Sequence, residues 1–339
     1  MTVLEEGRSR HRPRDRSRPH ALRRRIEYAF AVLFLALVAL LVLMAPRAQG
    51  PATIVLQHPI ATPRPKPAVH APVRTSYGIA PAPAAEQVAV KLKLPLKGGL
   101  LFDVHTGQVL WSRHSDAVLP IASLTKMMTA LVVTAHSRSS DRVLITSDAL
   151  HYTGSGVGLL PRGKRVPLTT LLYGLLLPSG NDAAIALADH VAGTQSRFVA
   201  LMNQRAHAMG LRCTHFTSVS GIVDQGNYSC SQDLALLAQA VLEQPLLARV
   251  VATRTAILPF PIKGGKLYLY NNNPLLRLHY PGADGLKTGF TDAAGQCLVA
   301  TARRGRTWLG VVLLHSGDTW TQAQQLLNAG FARAHLRQS

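Results

Sequence analysis

The sequence predicts an α+β fold: an antiparallel sheet assembled from both ends of one domain, with a helical lobe inserted between them. Three observations carry that prediction. Strand-type segments cluster at 98–114 and return at 285–315, helix-type segments fill most of the stretch between, and residues 46–89 have a composition that cannot pack. With 339 residues, 47% of them hydrophobic and 16% charged, the chain buries a substantial core, which excludes a wholly disordered protein.

In chain order, residues 1–27 come first and hold nine arginines against four acids. Residues 28–45, YAFAVLFLALVALLVLMA, carry no charge. As a helix rising ~1.5 Å per residue they cover about 27 Å, close to the hydrocarbon thickness of a bilayer. The basic flank keeps that end in the cytoplasm, so the rest is exported. The exit sequence APRAQGP is a poor small-x-small cleavage site. We therefore read 28–45 as an uncleaved transmembrane signal-anchor, with a cleaved signal peptide as the alternative. Residues 46–89 are Pro-rich, with runs such as TPRPKP and APAPAA, and read as a semi-rigid linker. The working domain is then 90–339.

Within that domain, 98–114 reads as a hairpin turning at His105-Thr106-Gly107. Ser123 opens an apolar helix, SLTKMMTALVVTA, and a short strand is expected at 143–145. Helices are expected at 168–177, at 182–192 before Gly193, and at 196–209 before Gly210. Another begins at Tyr228-Ser229-Cys230-Ser231-Gln232, where Ser229 and Gln232 have capping-box spacing. Strands follow at 285–291, 296–302 and 307–315, the last two joined by Arg304-Gly305-Arg306, and a final helix covers 321–335.

Three short motifs carry chemistry. In Ser123-Leu124-Thr125-Lys126 a serine and a lysine lie one helical turn apart on one face. A serine hydroxyl needs a neighbouring base, and a lysine serves only if burial or nearby positive charge keeps it neutral; Ile121, Met127, Met128 and Leu131 supply apolar surroundings. Ser179-Gly180-Asn181 offers a second hydroxyl and an amide at a helix start. Lys287-Thr288-Gly289-Phe290-Thr291 puts a cation, two hydroxyls and a close-approach glycine on a strand. Each motif alone also fits an ordinary turn, cap or strand.

In the order SxxK, SxN, KTG they match the signature of serine penicillin-recognising enzymes. With IASLTKMMTALVV, LLPSGNDAAIALADHVAG and GADGLKTGFTDAAGQCLVATARR around them, the chain resembles the low-molecular-mass penicillin-binding proteins, the serine-type D-Ala-D-Ala carboxypeptidases, over about residues 98–331. The resemblance implies the penicillin-binding protein/serine β-lactamase-like fold and no cofactor or metal. It implies Ser123 as nucleophile, Lys126 as proton acceptor and Ser179 as proton relay. Asn181 would hold the substrate or Lys126, and Lys287, Thr288 and Thr291 would bind the substrate carboxylate. The backbone N–H groups of Ser123 and Phe290, beside Gly289, would form the oxyanion hole. The implied partners are peptidoglycan stem peptides and β-lactams, with the domain outside the bacterial cytoplasmic membrane and held to it by the N-terminal anchor.

Two departures and two rivals remain. Relatives often place an arginine after the last strand; HSGDTWTQ at 315–322 has none. Many relatives also carry a C-terminal β domain and membrane helix, so here the N-terminal segment is expected to do the anchoring. A DD-endopeptidase uses the same motifs, and a non-catalytic wall-binding protein keeps the same fold. A class A β-lactamase is excluded by the lack of a glutamate beyond Ser123 other than Glu243. Cys213 and Cys230 are read as two packed thiols, with a disulfide as the alternative, and Cys297 as a core residue. The formal charge of +20 divides into +5 on residues 1–27 and +15 beyond them. Its position beside an export segment points to anionic wall polymers and headgroups, and away from nucleic acid.

Overall fold

A computed structural model describes residues 78–336. The basic segment, the 28–45 anchor and most of the Pro-rich linker lie outside the described residues. Among the described residues, no single helix is long and apolar enough to cross a membrane.

The strands are β1 (Ala80–Pro81), β2 (Leu96–Asp103), β3 (Gln108–Arg113), β4 (Leu119–Pro120), β5 (Arg142–Leu144), β6 (Arg165–Pro167), β7 (Tyr228–Ser229), β8 (Thr255–Pro259), β9 (Lys266–Tyr270), β10 (Ala283–Thr291), β11 (Gly295–Arg304) and β12 (Thr307–Ser316). The helices are α1 (Lys126–His136), α2 (Leu168–Leu176), α3 (Asn181–Ala192), α4 (Gln195–Ala208), α5 (Ser231–Glu243), α6 (Pro245–Ala252), α7 (Pro274–Arg277) and α8 (Thr319–His335).

The main sheet has six strands in the order β1-β3-β2-β12-β11-β10. All its pairings are antiparallel except the two-residue β1, which runs parallel to β3. The expected closure from both chain ends is the β2–β12 pairing, in which Leu101 faces Val311. Residues 80–81 and the Val88 N–H, which donates to Leu110 O at 2.9 Å, tie the last part of the Pro-rich stretch to this sheet. The ordered body thus begins before residue 90.

Strand alternation splits the core in two. Leu100, Phe102, Val299, Val312 and Leu314 point to the helical lobe, where α1 is surrounded by α3, α4 and α5. Leu101, Leu298, Ala300, Val311 and Leu313 point to the other face, which α8 covers with Leu326, Leu327 and Phe331. Both faces are buried, so β11 and β12 read as continuous apolar runs rather than as alternating ones.

Helix ends follow local chemistry. Gly193 takes φ 76° and stops α3, and the Thr194 hydroxyl accepts from the Arg197 N–H to start α4. The capping box expected before α5 does not form. Cys230 occupies the cap position, while Ser229 lies in β7 with its hydroxyl 2.8 Å from that of Thr214. Cys213 and Cys230 are joined in a disulfide, which replaces the two-thiol reading. It closes the loop between α4 and α5, and Cys297 alone is a free, buried thiol.

Candidate active site

Ser123 lies on a 3₁₀ turn, Ala122–Thr125, and α1 begins only at Lys126. The expected α-helical serine is thus one turn too early. In the tighter 3₁₀ geometry residues i and i+3 eclipse, which places Lys126 beside Ser123. Lys126 Nζ is 2.9 Å from Ser123 Oγ, 2.7 Å from Asn181 Oδ1 and 2.6 Å from the Ser220 carbonyl oxygen. The side chain is 0% exposed. Burial holds its pKa well below the ordinary lysine value, and the charge of Lys287 lowers it further while Asp182 opposes.

The three contacts define what a neutral Lys126 does. Ser220 O accepts only, and Asn181 presents its carbonyl because its Nδ2 donates to Thr153 O at 2.5 Å. Those two acceptors take the two N–H bonds of a neutral amine. The remaining lone pair then faces Ser123 Oγ, where a proton has to go if serine is to attack.

Asn181 is the first residue of α3, and its N–H donates to Ser155 O at 2.8 Å. Asp182 follows, buried, accepting from the N–H groups of Val157, Gly158 and Ala183 at 2.8–3.0 Å. Desolvation raises its pKa despite those bonds. Together they pin the 153–158 loop against the cleft. Asp182 was not among the expected site residues; read from sequence, it is the ordinary acidic start of a helix. Ser179 sits at φ 70°, with its hydroxyl buried and lacking a hydrogen-bond partner.

The opposite wall is β10, the last strand of the sheet, packed against the Ser123 turn. Lys287 is 1% exposed, donates to Thr288 O at 2.8 Å, and is lowered by burial to about 7. A Cβ on Gly289 would lie 2.9 Å from Ile121 O and 3.2 Å from Ser123 N, so only glycine lets the strand approach the serine's N–H this closely. Phe290 is 63% exposed at the rim and Thr288 is half-buried. Thr291 departs from expectation. Its hydroxyl donates to Asp224 Oδ1 at 2.8 Å and accepts from the Ala294 N–H, which leaves no hydrogen for a substrate carboxylate.

The loop closed by the disulfide therefore supplies two site groups, Ser220 O to Lys126 and Asp224 to Thr291. Its Gly221 is wedged under the serine turn: a Cβ there would fall 1.9 Å from Ala122 O, at φ 76°. No motif signals Ser220, because its contribution is a backbone carbonyl.

A serine and a buried lysine in hydrogen-bond contact, roofed by an amide and faced by a glycine-bearing edge strand, define the class of active-serine acyl-transfer enzymes. The comparisons narrow the class. The family model described as D-alanyl-D-alanine carboxypeptidase (Peptidase_S11) matches residues 86–317. The D-alanyl-D-alanine carboxypeptidase DacA of Escherichia coli K12 is 36% identical over 249 residues, 68% of this chain and 60% of that one. The carboxypeptidase DacF of Bacillus subtilis is 34% identical over 214 residues, 62% of this chain and 54% of that one. The crystal structure of the Streptomyces K15 DD-transpeptidase superposes with a TM-score of 0.67 at 34% identity, covering 72% of this chain and all of that one. The chain belongs to the D-alanyl-D-alanine carboxypeptidase family, and it spans between half and two thirds of the length of these two curated relatives.

Proposed function

We propose that the chain is a serine-type D-alanyl-D-alanine carboxypeptidase that removes the terminal D-Ala of peptidoglycan stem peptides and is acylated by penicillins at Ser123. The observation that carries this reading is the contact of the desolvated Lys126 amine with Ser123 Oγ at 2.9 Å, its other two acceptors being fixed. The Ser123 proton passes to Lys126 Nζ as Oγ bonds to the carbonyl carbon of the penultimate D-Ala. The oxyanion forms near the Ser123 and Phe290 N–H groups, where charge develops only in the transition state. The C–N bond then breaks, and the leaving amine takes a proton returned from Lys126 through the unpartnered Ser179 hydroxyl. Water hydrolyses the ester and regenerates Ser123. Lys287 supplies positive potential for the substrate carboxylate, with Thr288 beside it.

The basic residues 1–27 and the apolar run 28–45 support anchoring in the bacterial cytoplasmic membrane with the domain outside it, facing the wall. A DD-endopeptidase is the second reading, favoured by the engagement of Thr291 with Asp224. Product analysis with a pentapeptide and a cross-linked muropeptide dimer decides between them. Fluorescent penicillin labelling tests the chemistry itself: covalent label on the wild type and none on Ser123→Ala is expected, and undiminished labelling of Ser123→Ala would sink the mechanism.

A further inference from the structure

We propose that Asn271, Asn272 and Asn273 are positioning residues that tie the two walls of the cleft together and set the phase in which β10 presents Lys287 and Thr288. This rests on the acyl-transfer reading of the site.

The triplet leaves the β8–β9 hairpin and touches both walls within three residues. The Asn272 N–H donates to Leu177 O at 3.1 Å and its Nδ2 to Pro178 O at 3.2 Å. These are the two carbonyls immediately before Ser179. Asn273 Nδ2 donates to Gly285 O at 2.6 Å, two residues before Lys287. Asn271 braces the pair from beneath: its Oδ1 accepts from the Asn273 N–H, and its Nδ2 donates to Val251 O and Thr253 O at the end of α6. Asn271 and Asn273 are buried, at 2% and 0% exposure.

Gly285 is where the β10–β11 register shifts, between Ala283 and Gly285. Side chains alternate along a strand, so the phase chosen at that shift decides whether Lys287 or Thr288 points inward. A hydrogen bond to Gly285 O therefore acts on Lys287 without touching it. Asparagine suits the position because it donates and accepts over one short span. Asn273 Nδ2 donates to Gly285 O while its Oδ1 accepts from the Leu275 N–H and caps α7. Aspartate keeps the cap and loses the donor.

The test uses the full chain and reads the second-order rate of Ser123 acylation by a fluorescent penicillin, beside the thermal midpoint. Asn273→Asp keeps the acceptor for Leu275 and sets an oxygen against Gly285 O. A fall in acylation of about tenfold or more is expected, the cost of one unpaired buried hydrogen bond, measured well below the thermal midpoint where the protein is folded. Asn272→Ala, at an exposed position, loses only the Pro178 contact, and a fall of about threefold is expected. A merely structural role would lower the midpoint and leave acylation of the folded protein at the wild-type rate. That result in both variants would overturn the proposal. An unlabelled wild type would overturn the acyl-transfer reading and this proposal with it, whereas a labelled wild type with undiminished variants overturns the proposal alone.

Discussion

The cleft holds two buried lysines, one on each wall, and their surroundings differ. Lys126, on the helical side, lies within hydrogen-bond distance of three oxygens: Ser123 Oγ in its own turn, Asn181 Oδ1 and Ser220 O from two other segments. Lys287, on the sheet side, meets one carbonyl of its own strand. Burial lowers both pKa values, but only Lys126 is also lowered by a neighbouring cation, which is Lys287 itself. The pair is asymmetric: while Lys287 is charged its field disfavours charge on Lys126, and that push fades above about pH 7, where Lys287 itself becomes neutral.

The largest break in that asymmetry is Lys126→Met. Acylation by penicillin is expected to fall about 10²–10⁴-fold, the usual worth of a positioned base, with substrate affinity little changed. Lys287→Met should act through potential instead. Lys287 is charged below about 7 and neutral above it, so this variant should weaken binding of a carboxylate-bearing substrate at pH 6 and change it little at pH 9. A KM profile across that range checks the sign. Asn181→Ala removes one of the two acceptors that aim the Lys126 lone pair, and a loss of about tenfold in acylation is expected.

A stability measurement sharpens the comparison further. The unfolded chain keeps its lysine charged up to 10.5, while the fold makes Lys287 neutral above about 7. Between those values the unfolded state binds more protons, so stability rises with pH across that window, and Lys287→Met should flatten the rise. Denaturant midpoints at pH 7 and 9.5 would show it. The smallest effect is expected from Asp182→Asn. Asp182 raises the Lys126 pKa, so its neutralisation should move the acid limb of the acylation profile to lower pH.

What could be read beforehand divides along physical lines. The strands at 98–114 and 285–315 and the helices at 168–209 were legible because apolar patterning and Gly stops are local signals. The three motifs were legible as a set because they are recognised by residue identity and order, and the fold puts Lys126 against Ser123 and Asn181, with Gly289 close to the Ser123 N–H. Contributions through the backbone were not, as with Ser220 O on Lys126 and Gly285 O under Asn273. Partnerships across the fold were hidden as well. Thr291 reads as free until Asp224 is seen to hold its hydroxyl, and Cys213 meets Cys230 only because the α4–α5 loop folds back on itself. The β8–β9 hairpin went unread although its burial alternates, because Pro259, Phe260 and Pro261 interrupt the pattern at its turn.

The pairing of β2 with β12 has a consequence for how this domain comes into being. Leu101 cannot find Val311 until almost the whole chain has been made. The central strand pair therefore depends on contacts of very high sequence separation, which fold slowly. During that interval the apolar faces of β11 and β12 stand open. A newly made chain should therefore rely on chaperones for longer than its size alone suggests, and truncation within α8 should trap it in that state.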